Sequence, residues 1–226
     1  MHIGVVVFDV GETLVDEGRL WDGWADHLDV PRREFRAALE DVIARGEHHQ
    51  RVFDRFRPQG FDIEAARRDR AARGDSDLFD ATDLYADAVP CLTRLRELGF
   101  GIGIAANQPA AAEAVLRGAG LDADFFGTPA VWGVAKPSQA FFQKVVEAAG
   151  APAGAIAYVG DRLDYDVLPA RDAGMTAVFI ERGPWGRAHA KRPETSLAHV
   201  RVRSLAELAE VLNPRSGHMK VHCHRG

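Results

Sequence analysis

The segment Val5-Val6-Val7-Phe8 is apolar without a break, runs into Asp9, and is followed after Val10 by Gly11. A strand this apolar has no polar face to offer water, so it is expected at the middle of a parallel sheet, buried on both faces. A carboxylate at the end of such a strand is costly to desolvate unless something pairs with it. Open α/β sheets bind their ligands at the carboxyl ends of parallel strands. Asp9 is therefore aimed at chemistry and not at packing. Gly11 turns the chain beyond it and is a candidate for a positive φ.

The same pattern recurs downstream. Leu92, Leu95 and Leu98 mark a helix that stops at Gly99, a suitable C′ glycine. Strand 100–105 follows and runs into Ala106, Asn107, Gln108 and the helix-starting Pro109. The spacing then predicts helix 109–119, a short strand at 125–128, helix 138–149, strand 155–159, helix 164–173, strand 175–180, an edge strand at 200–202 and a last helix over Leu205–Leu212. Strands alternating with helices through short loops give an α/β fold, a Rossmann-like parallel sheet with right-handed crossovers. Residues 20–87 differ. Trp21, Trp24 and Leu28, then Phe35, Leu39 and Val42, then Val52, Phe53 and Phe56 fall at helical spacing with no strand-like alternation. The expected division is an α/β core of residues 1–15 and 88–212, an inserted helical subdomain of 16–87, and a flexible tail over 213–226.

Strand 155–159 leads into Gly160, Asp161, Arg162, Leu163, Asp164, Tyr165 and Asp166. Asp9, Asp161 and Asp166 would converge at one sheet edge, where carboxylates repel and raise each other's pKa. Lys136, the first lysine in the chain, and a divalent cation are the evident means of holding them ionised. An oxygen-only ligand set suits Mg²⁺. Asn107 and Gln108 are read in two ways: as N-caps of helix 109–119, or as the source of backbone N–H donors for an anion.

In order and spacing, Phe8-Asp9-Val10-Gly11-Glu12-Thr13-Leu14, Lys136-Pro137 and Gly160-Asp161 through Asp166 resemble the motifs of the haloacid dehalogenase-like hydrolases, over the chain up to about residue 212. The resemblance implies Asp9 as nucleophile and first metal ligand, with Thr13 in the same phosphate-binding motif. It implies Asp161 and the backbone carbonyl of Gly11 as further ligands of Mg²⁺. Asp166 would be a ligand through water or a carboxylate that orients Lys136, and Lys136 the cation that holds Asp9 and a phosphate. The helical subdomain resembles the family's small C1-type cap. Two positions depart from the family's phosphatases. The second Asp, their general acid/base, is Gly11 here, and the phosphate-binding Ser/Thr is Ala106. Losing general acid/base help costs about 10²–10⁴ in rate, and losing one stabilising donor about 10²–10³. Glu12, Asp16, His27, His48 and His49 are candidates to replace the missing acid. Arg162, after Asp161, reads as a solvated or core-capping residue, or one that touches substrate.

Composition sets the remaining bounds. At 226 residues and 46% apolar content the chain can bury one substantial core. A net charge of -5 gives no reason to expect a nucleic-acid or membrane partner. Two cysteines cannot make a disulfide framework, and the chain opens directly as a strand without a signal-peptide pattern. The expectation is a cytoplasmic chain of undetermined oligomeric state. His218, His222, Cys223 and His224 read as accidental ligands in the tail. The leading functional expectation is a Mg²⁺-dependent phosphatase of a small phosphorylated metabolite, acting through an aspartyl-phosphate. The alternatives are an attenuated or regulatory ligand-binding member of the family, and a haloacid dehalogenase, which also lacks the second Asp but needs no metal.

Overall fold

The computed structural model describes residues 2–75 and 77–213. Six parallel strands, β1 (Val5–Phe8), β2 (Gly101–Ala105), β3 (Phe125–Gly127), β4 (Ile156–Gly160), β5 (Thr176–Ile180) and β6 (Val200–Val202), lie in the order β3-β2-β1-β4-β5-β6. β1 is central: Val5 pairs with Gly101 on one side and Ile156 on the other, and Phe8 with Ile104 and Val159. The chain builds outward from β1 through β2 to β3, then crosses back to lay down β4, β5 and β6. The connections thus diverge between β1 and β4, which opens a crevice at their carboxyl ends. Asp9 follows β1 and Asp161 follows β4, so both carboxylates stand at that crevice.

Alternation along the strands splits the core into two layers. Val6 and Phe8 join Ile102, Ile104, Val159 and Val178 on one face, packed with helices α5 (Ala88–Glu97), α6 (Ala111–Gly118) and α11 (Leu205–Val211). Val7, Ala105, Tyr158 and Phe179 form the other face with α8 (Gln139–Ala149) and α9 (Leu168–Asp172). Between β1 and α5 lie α1 (Gly18–Leu28), α2 (Arg32–Ala44), α3 (Val52–Phe56) and α4 (Ile63–Ala72). They bury a third cluster of Trp24, Leu28, Phe35, Leu39, Val42 and Phe53. One residue from the far end of the chain, Trp185 of α10 (Gly183–His189), belongs to this cluster.

The architecture is the expected α/β fold with inserted helices, and the differences are local. The helix expected at 164–173 begins as a wide turn over Leu163–Val167 and becomes α-helical at Leu168. That turn seats Asp166 with no exposed surface at all. The helix expected from 109 starts at Ala111. Two helices went unforeseen, α7 (Pro129–Trp132) and α10. Both carry proline in the first turn, where its missing N–H is harmless. Gly183 and Gly186 lower the helix propensity of α10. Packing of Trp185 against the helical cluster overrides that weak propensity.

Two long-range ties fix the loops around the crevice. Arg182 donates to the Thr13 carbonyl (3.2 Å) and to both oxygens of Asp87 (3.0 and 2.6 Å), which joins the loop after β1 to the ends of β5 and α5. His189 of α10 accepts the Leu163 N–H at Nδ1 (3.0 Å), and so holds the turn after β4. No helix among the described residues is long and apolar enough to cross a membrane. His218, His222, Cys223 and His224 lie outside the described residues.

Burial pushes the His189 imidazole down from 6.5 to about 4, because the folded protein favours the neutral acceptor. The unfolded chain therefore binds the extra proton between those values. Stability from this group is fully present above pH 6.5 and is lost as pH falls toward 4. Denaturant unfolding across that range is expected to show a steeper decline for the wild type than for His189→Gln, whose amide oxygen can accept the same N–H without titrating.

Candidate active site

The end of β1 and the segment before α8 meet through one buried ammonium. Lys136 Nζ donates to Asp9 Oδ1 (2.5 Å) and to Asp166 Oδ1 (2.6 Å). All three residues are buried. Burial alone would favour a neutral lysine, but the charges of Asp166 and Asp9 outweigh it and hold Lys136 well above its ordinary range. Its backbone is clamped as well. The Lys136 N–H donates to Asn107 Oδ1, and Asn107 Nδ2 donates to the Lys136 carbonyl, both at 2.9 Å. The lysine is thus aimed from both its main chain and its head group.

Asp166 uses its second oxygen to accept the Arg162 N–H (3.0 Å). Both Asp166 oxygens thus accept hydrogen bonds, one of them from the Lys136 ammonium. Burial pushes Asp166 up to about 6, against the pull of Lys136. The approach of Asp166 depends on the glycine before Asp161. A Cβ at Gly160 would lie 2.5 Å from the Asp166 Cβ and closer still to its carboxyl. Asp161 is different. Its Oδ2 is buried with no partner among the described residues, and burial, Asp166 and Asp9 raise it well above the ordinary carboxylate range. Asp9, Asp161 and Asp166 each offer an oxygen within 4.8 Å of the others. An orphaned buried oxygen, in a hard oxygen set whose negative charge one lysine does not balance, fits a divalent cation such as Mg²⁺.

The expected phosphate-binding residues divide. Asn107 and Gln108 do not cap a helix, because α6 begins at Ala111 and its N-cap is Ala110. The capping reading is thereby corrected: the Asn107 side chain is spent on Lys136. The backbone N–H groups of Asn107 and Gln108 carry no hydrogen bond among the described residues, and they remain available to an anion. Ala106 is buried at the end of β2, with its N–H given to the Gly127 carbonyl. Thr13 is fully buried, and its hydroxyl has no partner among the described residues.

Gly11 does not take the positive φ considered for it; Glu12 does, at φ 54. What Gly11 provides is space. A Cβ there would sit 3.0 Å from the Glu17 Cδ and closer to its Oε1. Glu17 was not among the residues the sequence singled out. It lies in the polar turn before α1 and is its N-cap residue, yet its side chain does not cap the helix. The available signal was an acid at a helix start, in the loop that runs back past position 11. Burial, then Glu12 and Asp9, push the Glu17 carboxyl up to about 8.

The residues that were singled out to replace the acid are otherwise engaged. Glu12 accepts the Tyr85 hydroxyl (2.6 Å), and burial pushes it up to about 7. Asp16 is exposed and accepts the Gly18 N–H (2.8 Å). His27 sits edge-on to Trp24 and Phe61. His48 stacks on His49, which meets Trp21 and Trp185 edge-on. Burial drives His49 down to about 3, which keeps it neutral. Arg162 pairs with both oxygens of Asp164 (3.1 and 2.7 Å) and lies over the rings of Tyr165 and Trp185.

The chain is similar to known proteins in sequence and in fold. The family model described as haloacid dehalogenase-like hydrolase matches residues 3–174. A glyceraldehyde 3-phosphate phosphatase of Methanopyrus kandleri is 31% identical over 202 residues, covering 81% of this chain and 86% of that one. Among solved structures, a HAD phosphatase from Thermococcus onnurineus superimposes with a TM-score of 0.58 at 24% identity, over 93% of this chain and 98% of that one. A putative HAD-hydrolase from Bacillus subtilis bound to magnesium gives 0.68 at 18% identity, over 94% of this chain and 100% of that one.

Gly160→Ala should force the Asp166 carboxyl away from Lys136 and cost about 1–3 kcal/mol, the usual cost of overpacking. Gly4→Ala, where a Cβ would meet nothing within 4 Å, should stay within about 0.5 kcal/mol of wild type. Denaturant titration of the two variants checks the contrast.

Proposed function

We propose that this chain, which belongs to the haloacid dehalogenase-like hydrolase family, is a Mg²⁺-dependent phosphatase that acts on a small phosphorylated metabolite through an aspartyl-phosphate on Asp9. The observation that carries this reading is the buried Lys136 ammonium held between Asp9 and Asp166, beside the unpartnered oxygen of Asp161. Asp9 attacks phosphorus and thereby divides one hard displacement into two easier ones. Lys136 holds the attacking carboxylate in place and sets a positive charge beside the phosphoryl oxygens. The backbone N–H groups of Asn107 and Gln108 and the Thr13 hydroxyl donate to those oxygens in place of the hydroxyl that Ala106 lacks. Asp9, Asp161 and the Gly11 carbonyl would hold the Mg²⁺, with Asp166 acting on the site through Lys136. The ion, when bound, supplies charge neutralisation for the transferring phosphoryl group.

Residues 16–87 serve as the cap, which excludes water and selects the substrate. Its third core cluster, closed by Trp185 from the other end of the chain, supports that role. The substrate class is supported by the Methanopyrus relative, a glyceraldehyde 3-phosphate phosphatase, whose substrate is a small phosphorylated metabolite. The buried free thiol of Cys91 agrees with a reducing, cytoplasmic setting. A second reading, a ligand-binding member that no longer turns over, is favoured by Gly11 and Ala106 standing where catalytic side chains are expected. Halide release is disfavoured, because carbon–halogen hydrolysis needs no metal ion, whereas Asp161 and Asp166 beside Asp9 offer an oxygen set that could hold one.

A phosphate-release screen with and without Mg²⁺ tests the reading. Wild type should release phosphate only with the ion, and Asp9→Asn should fall to the uncatalysed background. Undiminished release by pure Asp9→Asn would rule out the covalent route. Independently of turnover, Mg²⁺ should raise the wild-type melting temperature by mass action, and Asp161→Ala should abolish the shift.

A further inference from the structure

The proposed chemistry leaves one proton without a carrier. When Asp9 displaces an alkoxide, the leaving oxygen needs a proton. When water attacks the aspartyl-phosphate, that water must lose one. The position that would carry the acid is Gly11, which has no side chain. The space in front of Gly11 is nevertheless filled: a Cβ built there would clash with the Glu17 carboxyl. The carboxyl reaches this place from the start of α1, where it does not cap the helix.

Apart from Asp9 and Asp161, which the reading above gives to phosphorus and the metal ion, the neighbouring acids are committed. Glu12 accepts from Tyr85, Asp16 from the Gly18 N–H, and Asp164 from Arg162. Asp166 is held by Lys136 and the Arg162 N–H. The Glu17 carboxyl has no hydrogen bond or ion pair among the described residues, although the residue is half-buried. A carboxyl left free in the volume that Gly11 vacates is placed to exchange a proton, not to hold structure.

We infer that Glu17 is a catalytic residue, supplying from the start of α1 the general acid and base that position 11 lacks. This rests on the phosphatase reading above. In the first step the Asp9 oxygen bonds to phosphorus, the bond from phosphorus to the leaving oxygen breaks, and the protonated Glu17 carboxyl gives its proton to that oxygen. The products are an alcohol, the aspartyl-phosphate and a Glu17 carboxylate. In the second step water bonds to phosphorus, its proton passes to Glu17, and the bond from Asp9 to phosphorus breaks. Inorganic phosphate leaves, and both side chains return to their starting states. Gly11 and Glu17 are then one device, with the small residue making room for the distant acid.

The test compares glycerol phosphate, a basic alkoxide leaving group, with p-nitrophenyl phosphate, which needs no proton to leave. Glu17→Gln preserves shape and should slow glycerol phosphate turnover by about 10²–10⁴-fold. With p-nitrophenyl phosphate it should spare release of nitrophenolate in the first turnover. Phosphate should then accumulate on Asp9, visible by intact mass, because the base for the second step is gone. Gly11→Asp alone should not help, since two side chains would contest one space. Gly11→Asp with Glu17→Ala should recover glycerol phosphate turnover relative to Glu17→Ala, and it decides the matter if Glu17→Gln does not fold. Equal slowing of both first-turnover reactions by Glu17→Gln, or no slowing of either, would overturn the inference while leaving the phosphatase reading intact. No turnover by wild type on any phosphate ester would overturn both.

Discussion

One ammonium group organises the centre of this protein. Lys136 is buried, is shared between Asp9 and Asp166, and is clamped at its backbone by Asn107. A buried ion pair is a poor way to gain stability, because desolvating the charges costs about as much as their attraction returns. Removing one partner is worse, since it strands the other, and typically costs about 3–5 kcal/mol. Such a cluster makes physical sense where charge must be held ready in a dry place. The third carboxylate, Asp161, makes the point sharper: it adds negative charge and an unsatisfied oxygen to a site that already has more acid than base.

The fold brings these groups together by topology more than by local preference. β1 stands at the middle of the sheet, and the chain turns to opposite sides of it before and after β3. The carboxyl ends of β1 and β4 therefore face a gap that no crossover covers. Lys136 reaches the gap from the segment before α8, and Asp166 from the wide turn after β4. Gly160 lets Asp166 lie against the strand end, and His189 and Arg182 pin the loops from behind.

Much of this was legible in the sequence, for physical reasons. The apolar run ending on Asp9 announces a strand buried on both faces, and the same logic places Asp161 after β4. Lys136 stood out as the first lysine in the chain. Other features were not legible. Asn107 looks like a helix cap, and only tertiary contact shows it spent on Lys136. α10 carries no helical signal past Gly183 and Gly186, and its helix depends on Trp185 packing into a cluster of distant helices. Glu17 was not legible, because nothing in the sequence separates it from Glu12 and Asp16 beside it. The replacement depends on what fills the space in front of a glycine, and no pattern of residue types reports that.

In the proposed phosphatase reading, Gly11 and Ala106 stand where catalytic side chains are expected, and both bear on whether Asp9 still forms a bond to phosphorus. The most direct measurement is the structure of the wild-type protein with Mg²⁺ and beryllofluoride, a mimic of the aspartyl-phosphate. The account predicts the fluoride adduct on a carboxylate oxygen of Asp9, with Lys136 beside it and the Asp161 oxygen engaged by the ion. Mg²⁺ bound without an adduct on Asp9, or an adduct that persists in Asp9→Asn, would contradict it.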